Sequence, residues 1–165
     1  MKLSTDWLLL VFCAIIILCL IVRCIIRSYY KRKTYTWIFE GPFMSKEEFE
    51  RRWLGDKGLK NGLKHQDVSG CYVILIYSPN FDGVHFENYQ NLYVGQSINI
   101  HQRFYDHLHG KGCAYLKSDI YLKNPIFVRF VPCARSEMNQ FEKQIIWALD
   151  ATLSYNQKRG GSLRR

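Results

Sequence analysis

The chain has 165 residues, room for one modest domain and an appendage. Its formal charge of +9 is uneven: residues 1–33 hold six basic residues and one acidic, and residues 34–165 hold seventeen and thirteen. The C-terminal part is thus only mildly basic, which is compatible with a nucleic-acid partner but does not demand one. The six cysteines exclude two classes: three lie in an apolar run, and Cys71, Cys113 and Cys133 are scattered. They match neither a disulfide framework nor zinc-ligand spacing.

Trp7 to Ile26 is apolar apart from Arg23, about the length that crosses a bilayer. A cleavable signal peptide would have a shorter apolar stretch ending in small residues. Here Leu20-Ile21-Val22-Arg23-Cys24-Ile25-Ile26-Arg27 is bulky and basic instead. Arg27, Lys31, Arg32 and Lys33 come after the run, whereas Lys2 and Asp6 precede it. Positive charge stays inside, so the C-terminal domain is expected on the cytoplasmic side of a single-pass membrane protein. The expected organisation is an anchor at 1–27, a juxtamembrane connector with a short helix at 28–67, a folded domain at 68–160 and a basic tail at 161–165.

Within the connector, residues 28–44 are rich in aromatics and bounded by Gly41-Pro42. Ser45-Lys46-Glu47-Glu48 is a capping-box pattern, so a short helix carrying Phe49 and Trp53 on one edge is predicted, stopping at Gly55. Asp56 to Ser69 is polar and reads as loop. Cys71 to Tyr77 is a β-branched and aromatic strand. An irregular connection, Ser78 to Gln90, leads to a partner strand, Asn91 to Val94, ending at Gly95. Ser97 is expected to cap a helix over Ile98–His109, stopped by Gly110. Ile126 to Val131 reads as a third strand, ended by Pro132. Ser136 then caps a helix over Glu137–Ala151, with Met138, Phe141, Ile145, Ala148 and Leu149 on one face. The sum is a small α/β sandwich.

Gly70-Cys71-Tyr72 opens the first strand, and Tyr93-Val94-Gly95-Gln96-Ser97 closes the second. Arg103 and His107 come next at i and i+4, on one face of the predicted helix. Glu142 lies one turn after Met138, and Asn156 lies beyond the last helix. Phosphodiester hydrolysis needs an activated water, a cation at the phosphate and help for the leaving oxygen. Tyrosine, with a pKa near 10, becomes a usable base only beside a metal ion or arginine, which is a physical reason to gather these residue types. Each residue alone has an ordinary reading: strand aromatics, a solvated arginine, a surface histidine, an exposed glutamate, a turn asparagine. Order, spacing and strand–helix context together carry the signal.

This ordered set resembles the GIY-YIG nuclease family, over about residues 68 to 160. The resemblance implies a three-stranded antiparallel sheet flanked by helices, here preceded by one transmembrane helix. It also implies divalent-metal-dependent endonuclease activity on DNA, with Mg²⁺ or Mn²⁺ as cofactor. By the family pattern, Tyr72, Tyr93, Arg103, His107, Glu142 and Asn156 are the catalytic residues. Arg103 would stabilise phosphate charge and Glu142 would be the single metal-binding carboxylate. His107 would be a proton shuttle or phosphate contact, and Asn156 an active-site hydrogen bonder. Two departures stand out: Cys71 replaces isoleucine, and twenty residues separate the two tyrosines where about half that is usual. The added loop carries Asp82, His85 and Glu87, placed to shape substrate access. The membrane segment points to incoming phage or mobile DNA as the target. Sequence alone leaves open a non-catalytic tethered binding module, or a nuclease toxin or subunit. It does not distinguish DNA from RNA, or one tyrosine from the other as base.

Overall fold

No glycine or proline interrupts residues 5 to 40, and helix α1 (Thr5–Glu40) runs unbroken through all of them. In this computed structural model, which describes residues 5–53 and 68–156, the expected anchor and the first part of the expected connector are therefore one rod. The connector reading of residues 28–40 is corrected by their spacing. Thr34 and Ile38, four apart, are buried, while Tyr35 and Phe39 pack against the same core. The stop expected at Gly55, most of the loop from Asp56 and the tail at 161–165 lie outside the described residues. The apolar stretch of α1 is long enough to cross a membrane, and none of it is buried against the rest of the chain.

The C-terminus of α1 lacks a basic residue of its own in the last turn. Arg129 supplies one from across the sheet, donating to the carbonyls of Trp37, at 2.5 Å, and Ile38. Gly41 lets the chain pass that guanidinium, since a Cβ there would lie 2.0 Å from Arg129 Cζ. Further down the rod, Lys31 pairs with Asp150 at 2.6 Å, Gln144 donates to Thr34 Oγ1 at 2.8 Å, and Arg27 lies over the Trp147 ring. These contacts fasten the domain to the second half of the helix only.

The sheet has four antiparallel strands in the order β1 (Met44–Ser45), β4 (Ile126–Pro132), β2 (Gly70–Ile76), β3 (Asn91–Ser97). The two-residue β1 is an addition to the three expected strands, formed where the chain leaves α1 and runs along β4. Helix α2 (Lys46–Trp53) begins as expected, with Ser45 Oγ accepting from the Glu48 N–H at 3.1 Å.

Strand alternation divides the core in two. Cys71, Val73 and Leu75 face α1 and helix α5 (Met138–Ala148), meeting Ile38, Ile145 and Ile146. Tyr72, Ile74 and Ile76 face α2, helix α3 (Ile100–Leu108) and helix α4 (Ala114–Tyr121), meeting Phe49, Ile100, Phe104 and Leu116. β2 is buried from end to end, which is why it reads as a continuous apolar run rather than an alternating one.

Four elements differ from expectation. β3 runs on to Ser97, past the end expected at Gly95. α3 starts two residues late because Asn99 is its cap, accepting from the Gln102 N–H at 3.0 Å, while Ser97 holds the N–H of Asn99. α4 has no counterpart in the sequence reading, because its apolar residues are spread around the helix, with Tyr115 and Tyr121 exposed and Leu116 buried. α5 is shorter at both ends, and its start carries no side-chain cap. The long β2–β3 connection leaves the hairpin at the Ile76–Asn91 end, away from Tyr72, and lays Phe86 and Tyr89 on Phe43 and Phe39. Asp82, His85 and Glu87 thus lie on a loop turned toward the stem side.

Candidate active site

Tyr72 pairs in register with Gly95, and Tyr93 with Ile74. The two tyrosines are therefore diagonal neighbours on one face of the hairpin, their rings 6.3 Å apart. α3 crosses that face and brings His107 against both, 5.7 Å from the Tyr72 ring and 5.1 Å from that of Tyr93. Tyr72 Oη and His107 Nε2 are 3.0 Å apart. Both residues are only 1% exposed.

Two glycines make this fit possible. A Cβ on Gly95 would lie 2.3 Å from Tyr72 Oη, and one on Gly112 would lie 2.0 Å from His107 Nδ1. The chain after α3 thus closes on the imidazole, and the Cys113 N–H donates to Nδ1 at 3.4 Å. An Nδ1 that accepts is unprotonated, so the neutral ring carries its proton on Nε2 and donates it to Tyr72 Oη. Burial, and then the Arg103 charge, push the His107 pKa down to about 4, so the ring is neutral at physiological pH.

Burial pushes the Tyr72 hydroxyl well above the ordinary phenol range, and the Tyr93 hydroxyl and Glu142 charge add to this. The neighbouring Arg103 guanidinium pulls it back. Tyr93 is raised for the same first reason, with Arg103 again opposing. Arg103 is partly exposed and donates to the Lys111 carbonyl at 3.4 Å. It is thus a cation felt by both hydroxyls and by His107 at once.

Glu142 arrives from the other side of the sheet, on α5, and is 9% exposed. Gln96, whose side chain alternates to that side, donates through Nε2 to Glu142 Oε2 at 3.1 Å and to Asn139 Oδ1 at 2.7 Å. The carboxylate still acts on Tyr72 and Tyr93 through its charge. The site therefore straddles the end of β3. Sequence reasoning placed Gln96 inside the motif but gave it no part, although a polar residue on a core-facing strand position was the available signal.

Asn156 is not aimed at the hydroxyls. Its Oδ1 accepts from the Val94 N–H at 2.8 Å and its Nδ2 donates to the Val94 carbonyl at 2.7 Å. Both amide groups close the open edge of β3 at the residue between Tyr93 and Gly95. Ser154 and Tyr155 continue the closure at Leu92. The expectation of an active-site hydrogen bonder becomes a clamp on the strand that carries the site.

The GIY-YIG catalytic domain family matches residues 69–156. The chain belongs to the GIY-YIG family. No match is found among curated proteins or among solved structures. GIY-YIG proteins are endonucleases that act on nucleic acid and typically use a divalent metal. The donors present are consistent with such an ion. Among the described residues no three His, Cys, Asp or Glu side chains converge, so there is no all-protein cage. A buried carboxylate whose charge is felt by the Tyr72 and Tyr93 hydroxyls instead fits a hard cation that keeps waters and takes its other ligands from a phosphate.

Proposed function

We propose that this GIY-YIG protein is a membrane-anchored, divalent-metal-dependent endonuclease that hydrolyses phosphodiester bonds in DNA, with its catalytic domain on the cytoplasmic side. The observation that carries the reading is the Tyr72–His107 contact of 3.0 Å, set beside Tyr93, Arg103 and Glu142. A catalytic base that starts as a buried phenol needs groups that favour its ionised form, and two are present. His107 donates its Nε2 proton to the oxygen, and Arg103 supplies positive charge.

In this reading Tyr72 first gives up its own proton to solvent; the phenolate, held by the His107 N–H and the Arg103 charge, then takes the proton from the attacking water and returns to phenol. Tyr93, beside it, keeps the hydroxyl oriented. Arg103, partly exposed, binds the phosphate and stabilises charge developing on its oxygens. Glu142 would hold Mg²⁺ or Mn²⁺, which when bound supplies Lewis-acid stabilisation at the phosphate and leaving oxygen.

The anchor is the apolar stretch of α1. Its exposed length, and the firm packing of the helix's second half on the domain, favour a retained stem over a removed leader. A nuclease fixed in this way reaches only DNA that passes close to the bilayer, which suits phage or mobile DNA entering the cell. The first test is nicking of supercoiled plasmid by the full chain in lipid nanodiscs with Mg²⁺, then with EDTA. Cutting in the parent that is lost in Tyr72→Phe, Arg103→Ala and Glu142→Ala supports the chemistry. No cutting from folded parent with either Mg²⁺ or Mn²⁺ refutes it. For the role, cells expressing the parent should resist infection or transformation better than cells expressing Glu142→Ala, and equal behaviour rejects it.

A further inference from the structure

Gln96 comes directly after the glycine of the second motif, and its side chain points to the α5 side of the sheet. Both of its amide contacts run one way: Nε2 to Glu142 Oε2 at 3.1 Å and Nε2 to Asn139 Oδ1 at 2.7 Å. Its Oε1, by contrast, is buried and has no hydrogen-bond partner among the described residues. A buried acceptor left unpaired is costly and calls for a cause. Glu142 supplies it: a carboxylate accepts only, so the amide must turn its nitrogen to Glu142 and leave its oxygen without a donor. Asn139, one turn before Glu142 on α5, presents its own oxygen and fixes the same orientation.

We infer that Gln96 is the positioning residue for the metal-binding carboxylate, setting the orientation of Glu142 through a neutral hydrogen bond. This rests on the reading of Glu142 as the cation's protein ligand. A lysine or arginine in that place would hold the carboxylate but cancel the charge that attracts a cation. An amide orients it and leaves the negative charge intact. Groups that hydrogen-bond a metal ligand in this manner typically contribute about 10–100-fold to metal affinity or activity.

The test is Mn²⁺ binding to the full chain in nanodiscs without DNA, read by electron paramagnetic resonance of the free ion, alongside nicking assays. Glu142→Ala should abolish binding. If the parent binds no Mn²⁺, or if Glu142→Ala binds as well as the parent, the underlying reading of Glu142 fails. Given binding in the parent, Gln96→Met should weaken Mn²⁺ affinity by about 10–100-fold. Its cutting should recover toward parental kcat at saturating Mn²⁺. Parental Mn²⁺ affinity in Gln96→Met overturns the inference while leaving the nuclease reading in place. Gln96→Glu, nearly the same shape, covers the case in which Gln96→Met does not fold. It puts two carboxylates within hydrogen-bond distance, which then share a proton that Mn²⁺ must displace. Its Mn²⁺ binding should fall as pH is lowered far more steeply than the parent's, and a parental pH dependence contradicts the proposed contact.

Discussion

Gly95→Ala is the sharpest probe of the site, because it alters no chemical group and acts through one contact. The new Cβ would stand 2.3 Å from Tyr72 Oη and 2.5 Å from its Cζ. Relief to an ordinary contact requires the hydroxyl to retreat by about 1 Å. Tyr72 is 1% exposed and faces Tyr93 and His107, so it has little room to do so. Overpacking of this kind typically costs about 1–3 kcal/mol. The same retreat stretches the 3.0 Å Tyr72–His107 contact beyond hydrogen-bonding range. Misplacement of a catalytic group by about 1 Å is worth roughly 10²-fold in rate. Gly95→Ala should therefore lower the thermal midpoint and reduce kcat for plasmid nicking by about that factor. Placed on Tyr72→Phe, which has no hydroxyl to displace, it should reduce cutting little further while still destabilising the fold. Parental activity and stability in Gly95→Ala would refute the claimed approach of Gly95 to Tyr72.

The same geometry sets three further outcomes. The free imidazole titrates near 6.5 and folded His107 near 4, so as pH falls the unfolded chain takes up the proton first. This contribution to stability is whole above about pH 6.5 and declines by about 3 kcal/mol between there and pH 4. Denaturation at pH 7 and pH 4.5 should show a larger fall in the parent than in His107→Gln, which keeps the also depressed His101, and equal falls would dismiss the buried neutral imidazole. Asn156→Ala leaves the Val94 N–H and carbonyl unpaired and should cost about 2–4 kcal/mol, with cutting per folded molecule nearly kept. A loss of cutting at unchanged stability would restore Asn156 to the reaction itself. Arg129→Met removes the cation at the end of α1 and should cost about 2–3 kcal/mol, with faster amide exchange at the last turn of the stem. Unchanged exchange there would deny Arg129 its capping role.

The legible parts were those whose signal is local. Cys71–Tyr77 and Ile126–Val131 are apolar and β-branched, and each strand lies within a residue of its predicted limits. Gly110 takes φ 74 just beyond α3, as a helix-ending glycine does. The helix period put Arg103 and His107 on one face, while the meeting of His107 with Tyr72 and Tyr93 was implied by the family resemblance. What escaped depended on contacts remote in sequence. The helicity of residues 28–40 is sustained by α5 and Arg129, over ninety residues away in the second case. Asn156 looked like a turn residue or a catalytic amide, and its pairing with the open edge of β3, sixty-two residues earlier, has no local signal.

β3 also explains why one motif carries so many roles. Alternation sends Tyr93 and Gly95 toward α3, and Val94 and Gln96 toward α5. A strand in the middle of a sheet would keep those two sets apart, with the proposed base on one face and the proposed metal-binding carboxylate on the other. At the end of an edge strand the separation fails, because nothing lies beyond it to divide the faces. There the missing side chain of Gly95 leaves Tyr72 Oη at the boundary, while Gln96 holds Glu142 at the same boundary from the other side. An edge so used must neither fray nor recruit another strand. Asn156, Ser154 and Tyr155 occupy its hydrogen-bonding groups with side chain and backbone in place of a fifth strand. The clamp and the chemistry are thus consequences of one placement: the strand whose end can serve both faces is the strand whose outer edge needs closing.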